Sequence, residues 1–87
     1  MPNLQKGAKV HLIEAGEKID EAIICYAGNS NSSLTEEIKI ESLRLFPGKK
    51  FDFAFIDGGW RMLFCDPMTR DRCYSQNAPV YRIEPAS

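Results

Sequence analysis

The chain has 87 residues, is 44% hydrophobic and 10% aromatic, and carries a formal net charge of −1. That length makes one domain, 1–87, able to bury roughly 60–65% of the surface its unfolded form exposes. A charge so near zero excludes a global electrostatic drive toward DNA, RNA or an anionic membrane, and no apolar run approaches the ~20 residues of a membrane helix.

Residues 1–7 are a polar lead-in. They lack the charged start and following apolar run of a signal peptide. Lys9 to Ala15 reads as a strand with Val10 and Leu12 on one face, and Gly16-Glu17-Lys18 as the turn after it. Ile19 to Ala27 supports two readings. As a strand, Ile23 and Cys25 face one way, and Ala22, Ile24 and Tyr26 the other. As a helix, Ile19, Ala22, Ile23 and Tyr26 make one stripe capped by Gly28. The Ile-Ile-Cys-Tyr run and the short link from Ala15 favour the strand; a helix at 17–27 is the alternative.

Residues 28–33 are wholly polar and predict a mobile surface loop. Ser33-Leu34-Thr35-Glu36 matches a helix capping box, yet the residues after it do not repeat at helical spacing. Ile38 and Ile40 alternate, as do Leu43 and Leu45, with a change of phase near Glu41-Ser42. A strand with a bulge there accounts for both halves. Pro47-Gly48 ends it.

Phe51 to Asp66 reads as a β-hairpin. A turn at Gly58-Gly59 sets Phe55 opposite Met62 and Phe53 opposite Phe64. A turn at Asp57-Gly58 keeps the same faces. Either way Phe51, Phe53, Phe55, Trp60, Met62 and Phe64 share one face, the expected core side. Asp52, Ala54, Ile56, Arg61, Leu63 and Cys65 share the other. Asp66-Pro67 is an N-cap followed by a favoured first helical residue, which predicts one or two helical turns between Pro67 and Cys73. Val80 to Glu84 is a last short strand.

These elements predict a mainly β domain: a small antiparallel, partly closed barrel with a short helical turn before the last strand, an order that resembles SH3-like topology. The alternative is α+β, with the helix at 17–27. No residue pattern marks a known family.

The chemistry is sparse. Three cysteines, Cys25, Cys65 and Cys73, and one histidine, His11, form no CxxC and no paired zinc spacing, so no metal and no cofactor is expected. The odd cysteine count and missing leader point to reduced thiols and a cytoplasmic setting. His11 lies mid-strand as a partly buried structural residue. Arg70 and Arg72 beside Cys73 favour its thiolate, making it the most reactive thiol, and a thiol enzyme is the third-ranked reading. Gly58-Gly59 has no phosphate-loop companion residues. What remains is Trp60, Arg61, Arg70, Arg72 and Tyr74, with Tyr81 near them. Arginine with aromatics is the composition of protein hot spots and of single-strand nucleic-acid platforms. The opposing reading makes Trp60 and Tyr81 core and the arginines solvated. The leading expectation is a non-enzymatic domain that binds a protein or itself, a homodimer included, through Trp60, Arg61, Arg70, Arg72 and Tyr74. A small nucleic-acid-binding barrel using the later arginines is the alternative, and no membrane partner is expected.

Overall fold

A computed structural model describes residues 4–29, 35–70 and 72–86. The strands are β1 (Lys9–Glu14), β2 (Glu17–Asn29), β3 (Glu36–Ser42), β4 (Lys50–Ile56), β5 (Gly59–Cys65), β6 (Arg72–Cys73) and β7 (Tyr81–Pro85). All pairings are antiparallel. The order β4-β3-β2-β1-β7-β5 returns to β4 through the β4–β5 hairpin, which closes a barrel of six strands, and β6 hangs on β5 outside the ring. Closure leaves few free edges, which a β domain of this size otherwise exposes to aggregation.

Two tight turns join neighbouring strands of the ring. Ala15 and Gly16 have φ of 53° and 83°, and Asp57 and Gly58 have φ of 53° and 82°. Positive φ at both central residues is the turn whose twist matches a hairpin. The second turn fixes the register Ile56↔Gly59, Phe55↔Trp60 and Phe53↔Met62. Phe53 is therefore opposite Met62, and the Phe53–Phe64 pairing expected from a Gly58-Gly59 turn is corrected. Phe64 instead pairs with Cys73 of β6.

Residues 17–27 are strand throughout, which removes the helix alternative. Ala22 and Ile24 are buried, the period-two pattern of a half-buried strand; Tyr26, expected on their face, is instead exposed because the ladder shifts register between Ile24 and Tyr26. The expected bulge near Glu41-Ser42 sits in the partner strand. β2 shifts register against β3 between Ile24 and Tyr26, and the β1–β2 ladder shifts between Leu12 and Ile13. An extra residue tightens local twist, which lets one long strand curl around the barrel. β3 stops at Ser42, so Leu43 to Phe46 leave the sheet. Gly28 and Asn29 continue β2 rather than opening a loop; residues 30–33 of that loop, and Ser33 and Leu34 of the capping box, lie outside the described residues.

No helix occurs among the described residues, so the helical turn between Pro67 and Cys73 is corrected too. The cap works locally: Met68 N donates to the Asp66 carboxylate at 2.8 Å, and Arg70 N donates to Asp66 O at 2.7 Å. Arg70 then turns to φ 62°, in the left-handed region. One closed turn does not repay helix nucleation without further bonds, and the chain goes on to pair as β6.

The core is Val10, Leu12, Ala22, Ile24, Ile38, Ile40, Phe53, Trp60 and Ile83, flanked by Phe51, Met62 and Tyr81. The Phe53 and Tyr81 rings meet edge to face across it at 5.6 Å.

Candidate functional site

The residues nominated from the sequence do not form one cluster. Trp60 is only 5% exposed, inside the core, with its ring edge-on to Phe55 at 5.2 Å. Arg61, the next residue, emerges on the other side of the wall because strand side chains alternate. Its guanidinium lies over the Tyr74 ring at 5.3 Å, and its Nε is buried without a hydrogen-bond partner. Arg61 and Tyr74 are thus brought together and engage each other. Arg70 is exposed at the end of the 66–70 turn, and Arg72 pairs with Cys65 in β6. The outer hairpin face is not an exposed apolar patch: Ala54 is buried, and Ile56 and Leu63 are half-buried.

Trp60 also backs an open cleft of about 200 Å³ where β5 meets β7, lined by Phe55, Gly58, Gly59, Tyr81 and Glu84 among others. The β5–β7 ladder consists of the pair Trp60↔Tyr81. A Cβ on Gly59 would lie 2.1 Å from Val80 Cγ1, so the Val80 side chain covers this seam only because Gly59 has none.

The most developed surface lies at one end of the barrel. β4 starts where β5 ends, so the 43–49 loop and the 66–70 turn emerge at the same end. Together they expose Leu43 (38%), Leu45 (49%), Phe46 (54%), Phe64 (50%) and Met68 (90%). Phe46 rests against Phe51, ring centroids 5.9 Å apart. Arg44 and Lys49 of the same loop, Lys50 at the start of β4 and Arg70 of the turn are exposed as well.

That loop is held from inside. Asp20, 5% exposed, accepts from Ser42 Oγ at 2.6 Å, from Glu21 N at 2.8 Å, and from Arg44 N and Leu45 N at 3.1 Å. Ser42 Oγ in turn accepts from Phe46 N at 3.0 Å, and Leu43 N donates to Glu21 O at 2.8 Å. Hydrogen bonds to a buried carboxylate are among the stronger ones in proteins. Arg44 reaches Glu21 at 3.6 Å, and Lys9 reaches the same carboxyl at 3.0 Å. The Lys9 hydrogen bond holds the Glu21 carboxyl below its ordinary range, against the opposing effect of desolvation.

Sequence reasoning passed over Asp20 and Ser42. Asp20 lay in the segment with two readings, where a charge counted as solvated. The phase change at Glu41-Ser42 was the available signal, and it marks where the chain leaves the sheet rather than a bulge in it.

Among the described residues, no group of His, Cys, Asp and Glu could hold a metal ion. His11 stands between Glu21 and Glu84 of the neighbouring strands, its Nδ1 buried and unpartnered. No disulfide joins the cysteines; Cys65 is exposed and Cys25 and Cys73 are half-buried. Cys65 is thus the most exposed of the three thiols, and Cys73, nominated from the sequence, is half-buried. Among the described residues, no helix is long and apolar enough to cross a membrane. Compared with known proteins, the chain matches no family model, no curated protein and no solved structure.

Proposed function

We propose that this chain is a non-enzymatic binding domain that captures a protein partner or a second copy of itself at the end of the barrel formed by the 43–49 loop and the 66–70 turn. The observation that carries the reading is the buried Asp20–Ser42 clamp beneath half-exposed Leu45 and Phe46. A soluble domain gains nothing in stability by fixing large apolar side chains in water. Holding them in one conformation does lower the ordering cost of a later association. Completing the burial of Leu45 and Phe46 would contribute about 1 kcal/mol each, roughly half the value for a fully buried side chain. Apolar centre and charged rim are also the usual anatomy of a protein interface. Of the nominated arginines, Arg70 lies on this rim, while Arg61 is engaged by Tyr74. Cysteines without a disulfide between them fit a reducing compartment, and the cytoplasm is the setting we propose.

The test is selection of peptides from a random displayed library on the folded protein. Binders lost on Phe46→Ser or Leu45→Ser, with the circular dichroism of the wild type retained, support the reading. A selection whose binders ignore both substitutions, together with a wild type that stays monomeric at high concentration, rejects it.

A further inference from the structure

We infer that the partner segment at this end is acidic, with an aromatic or aliphatic anchor between its carboxylates. The inference rests on the proposed binding end and adds what binds there. Lysines and arginines total 11 and aspartates and glutamates 12 across the chain, yet the rim of the apolar end is formed by Arg44, Lys49, Lys50 and Arg70. Carboxylates also stand beside this rim, Glu41 among them, opposite Lys50 in the β3–β4 ladder. Glu21 pairs with Lys9 and Arg44, and Asp66 accepts from Met68 N. With Arg44 on Glu21 and Glu41 beside Lys50, the excess of positive charge at this end is small and rests on Lys49, Lys50 and Arg70. Rim charges select partners by sign: an opposite charge speeds encounter and a like charge is rejected. The centre, Leu43, Leu45, Phe46 and Phe64, is shallow and apolar, which suits one or two anchoring side chains.

Geometry favours a peptide over the other anionic partners. Phe46 rests against Phe51 rather than projecting from the barrel, whereas docking on a bilayer needs several apolar groups sunk ~5–10 Å into the headgroup boundary. A single-stranded nucleic acid needs a positively charged groove that tracks its backbone beside the rings its bases stack on. Phe46 and Phe64 offer rings here, but the chain carries a net charge of −1 and, among the described residues, this end has no such groove.

The experiment uses the same displayed library on the intact chain and reads the composition of the binders. Enriched sequences should carry Asp or Glu on both sides of Phe, Trp or Leu. A synthetic peptide from that set should bind about tenfold more weakly to Lys49→Glu/Lys50→Glu. The milder Lys49→Gln/Lys50→Gln should fall between, guarding against a folding defect. Binders that depend on Phe46 but show no acidic bias overturn the partner and leave the binding end standing. No Phe46-dependent binder overturns both. Flotation with phosphatidylserine vesicles, or anisotropy with a fluorescent single-stranded oligonucleotide, overturns the peptide if either binds wild type more tightly than the selected peptide does. Concentration-dependent self-association abolished by Phe46→Ser makes a second copy the occupant and also overturns it.

Discussion

Ser42 Oγ donates a 2.6 Å hydrogen bond to the Asp20 carboxylate and accepts one from Phe46 N at 3.0 Å, so one hydroxyl joins a buried charge in β2 to the exposed loop after β3. The loop is ordered by what lies beneath it. Its own residues add Pro47, Gly48 at φ 85° and a turn bond from Lys49 N to Phe46 O at 2.9 Å.

Removing that carboxylate leaves Ser42 Oγ and the amides of Glu21, Arg44 and Leu45 short of an acceptor. Asp20→Ala should lower stability by about 3 kcal/mol, the scale for breaking a buried network to a charged group. Urea melts give the value, and amide exchange at Arg44 and Leu45 should accelerate ahead of that at Phe53. Unchanged exchange in the loop would show that Asp20 does not hold it.

Gly59 and Val80 are a steric pair. Gly59→Ala places a methyl 2.1 Å from Val80 Cγ1, and overpacking of this kind costs ~1–3 kcal/mol. The double variant Gly59→Ala/Val80→Ala should recover most of the loss, because it removes the atom in collision. Equal melting temperatures for the single and double variants would place the strain elsewhere.

Phe53 and Phe64 share a side of the hairpin but not an environment. Phe53 is wholly buried and Phe64 half-exposed. Phe53→Ala should cost ~3–5 kcal/mol, enough to unfold much of a domain this small. Phe64→Ser should stay within about 1 kcal/mol of wild type. A soluble, fully folded Phe53→Ala variant would contradict the core assignment.

Tyr81 supplies an alkaline limit. Burial, and then the Glu14 carboxylate opposite it, raise its phenol above the ordinary value of 10.0. The folded state thus favours the neutral phenol. Its contribution is whole below the unfolded pKa and is lost as pH rises from about 10 through the folded pKa. Thermal melts across that window should fall for the wild type and flatten in Tyr81→Phe. Parallel slopes for the two proteins would remove Tyr81 from the linkage.

The thiols separate by exposure. Cys65 should label before Cys25 and Cys73 in the native protein. Cys65 pairs with Arg72, and Cys73 with Phe64. The two cysteines therefore lie on opposite faces of their ladder, which opposes a disulfide between them. A Cys65–Cys73 bridge formed under mild oxidation would contradict the register.

The sequence by itself determined the β class, the hairpin faces and most strand positions, because alternation and glycine turns act over a few neighbouring residues. Val10, Leu12, Ala22, Ile24, Ile38, Ile40 and Phe53 stand where period-two patterning puts them. The Asp66 cap was legible too, but a single capped turn grows into a helix only if the next residues extend it, and pairing of Cys65 with Arg72 decided against that. Only the tertiary structure decided the rest. Trp60 is core because the β5–β7 seam closes over it. Asp20 is buried because the chain leaving β3 folds back onto β2. Leu45 and Phe46 are displayed because that return stops at the barrel rim. Each of these outcomes depends on residues far apart in the chain meeting at a closed wall, and no local pattern encodes where a barrel shuts.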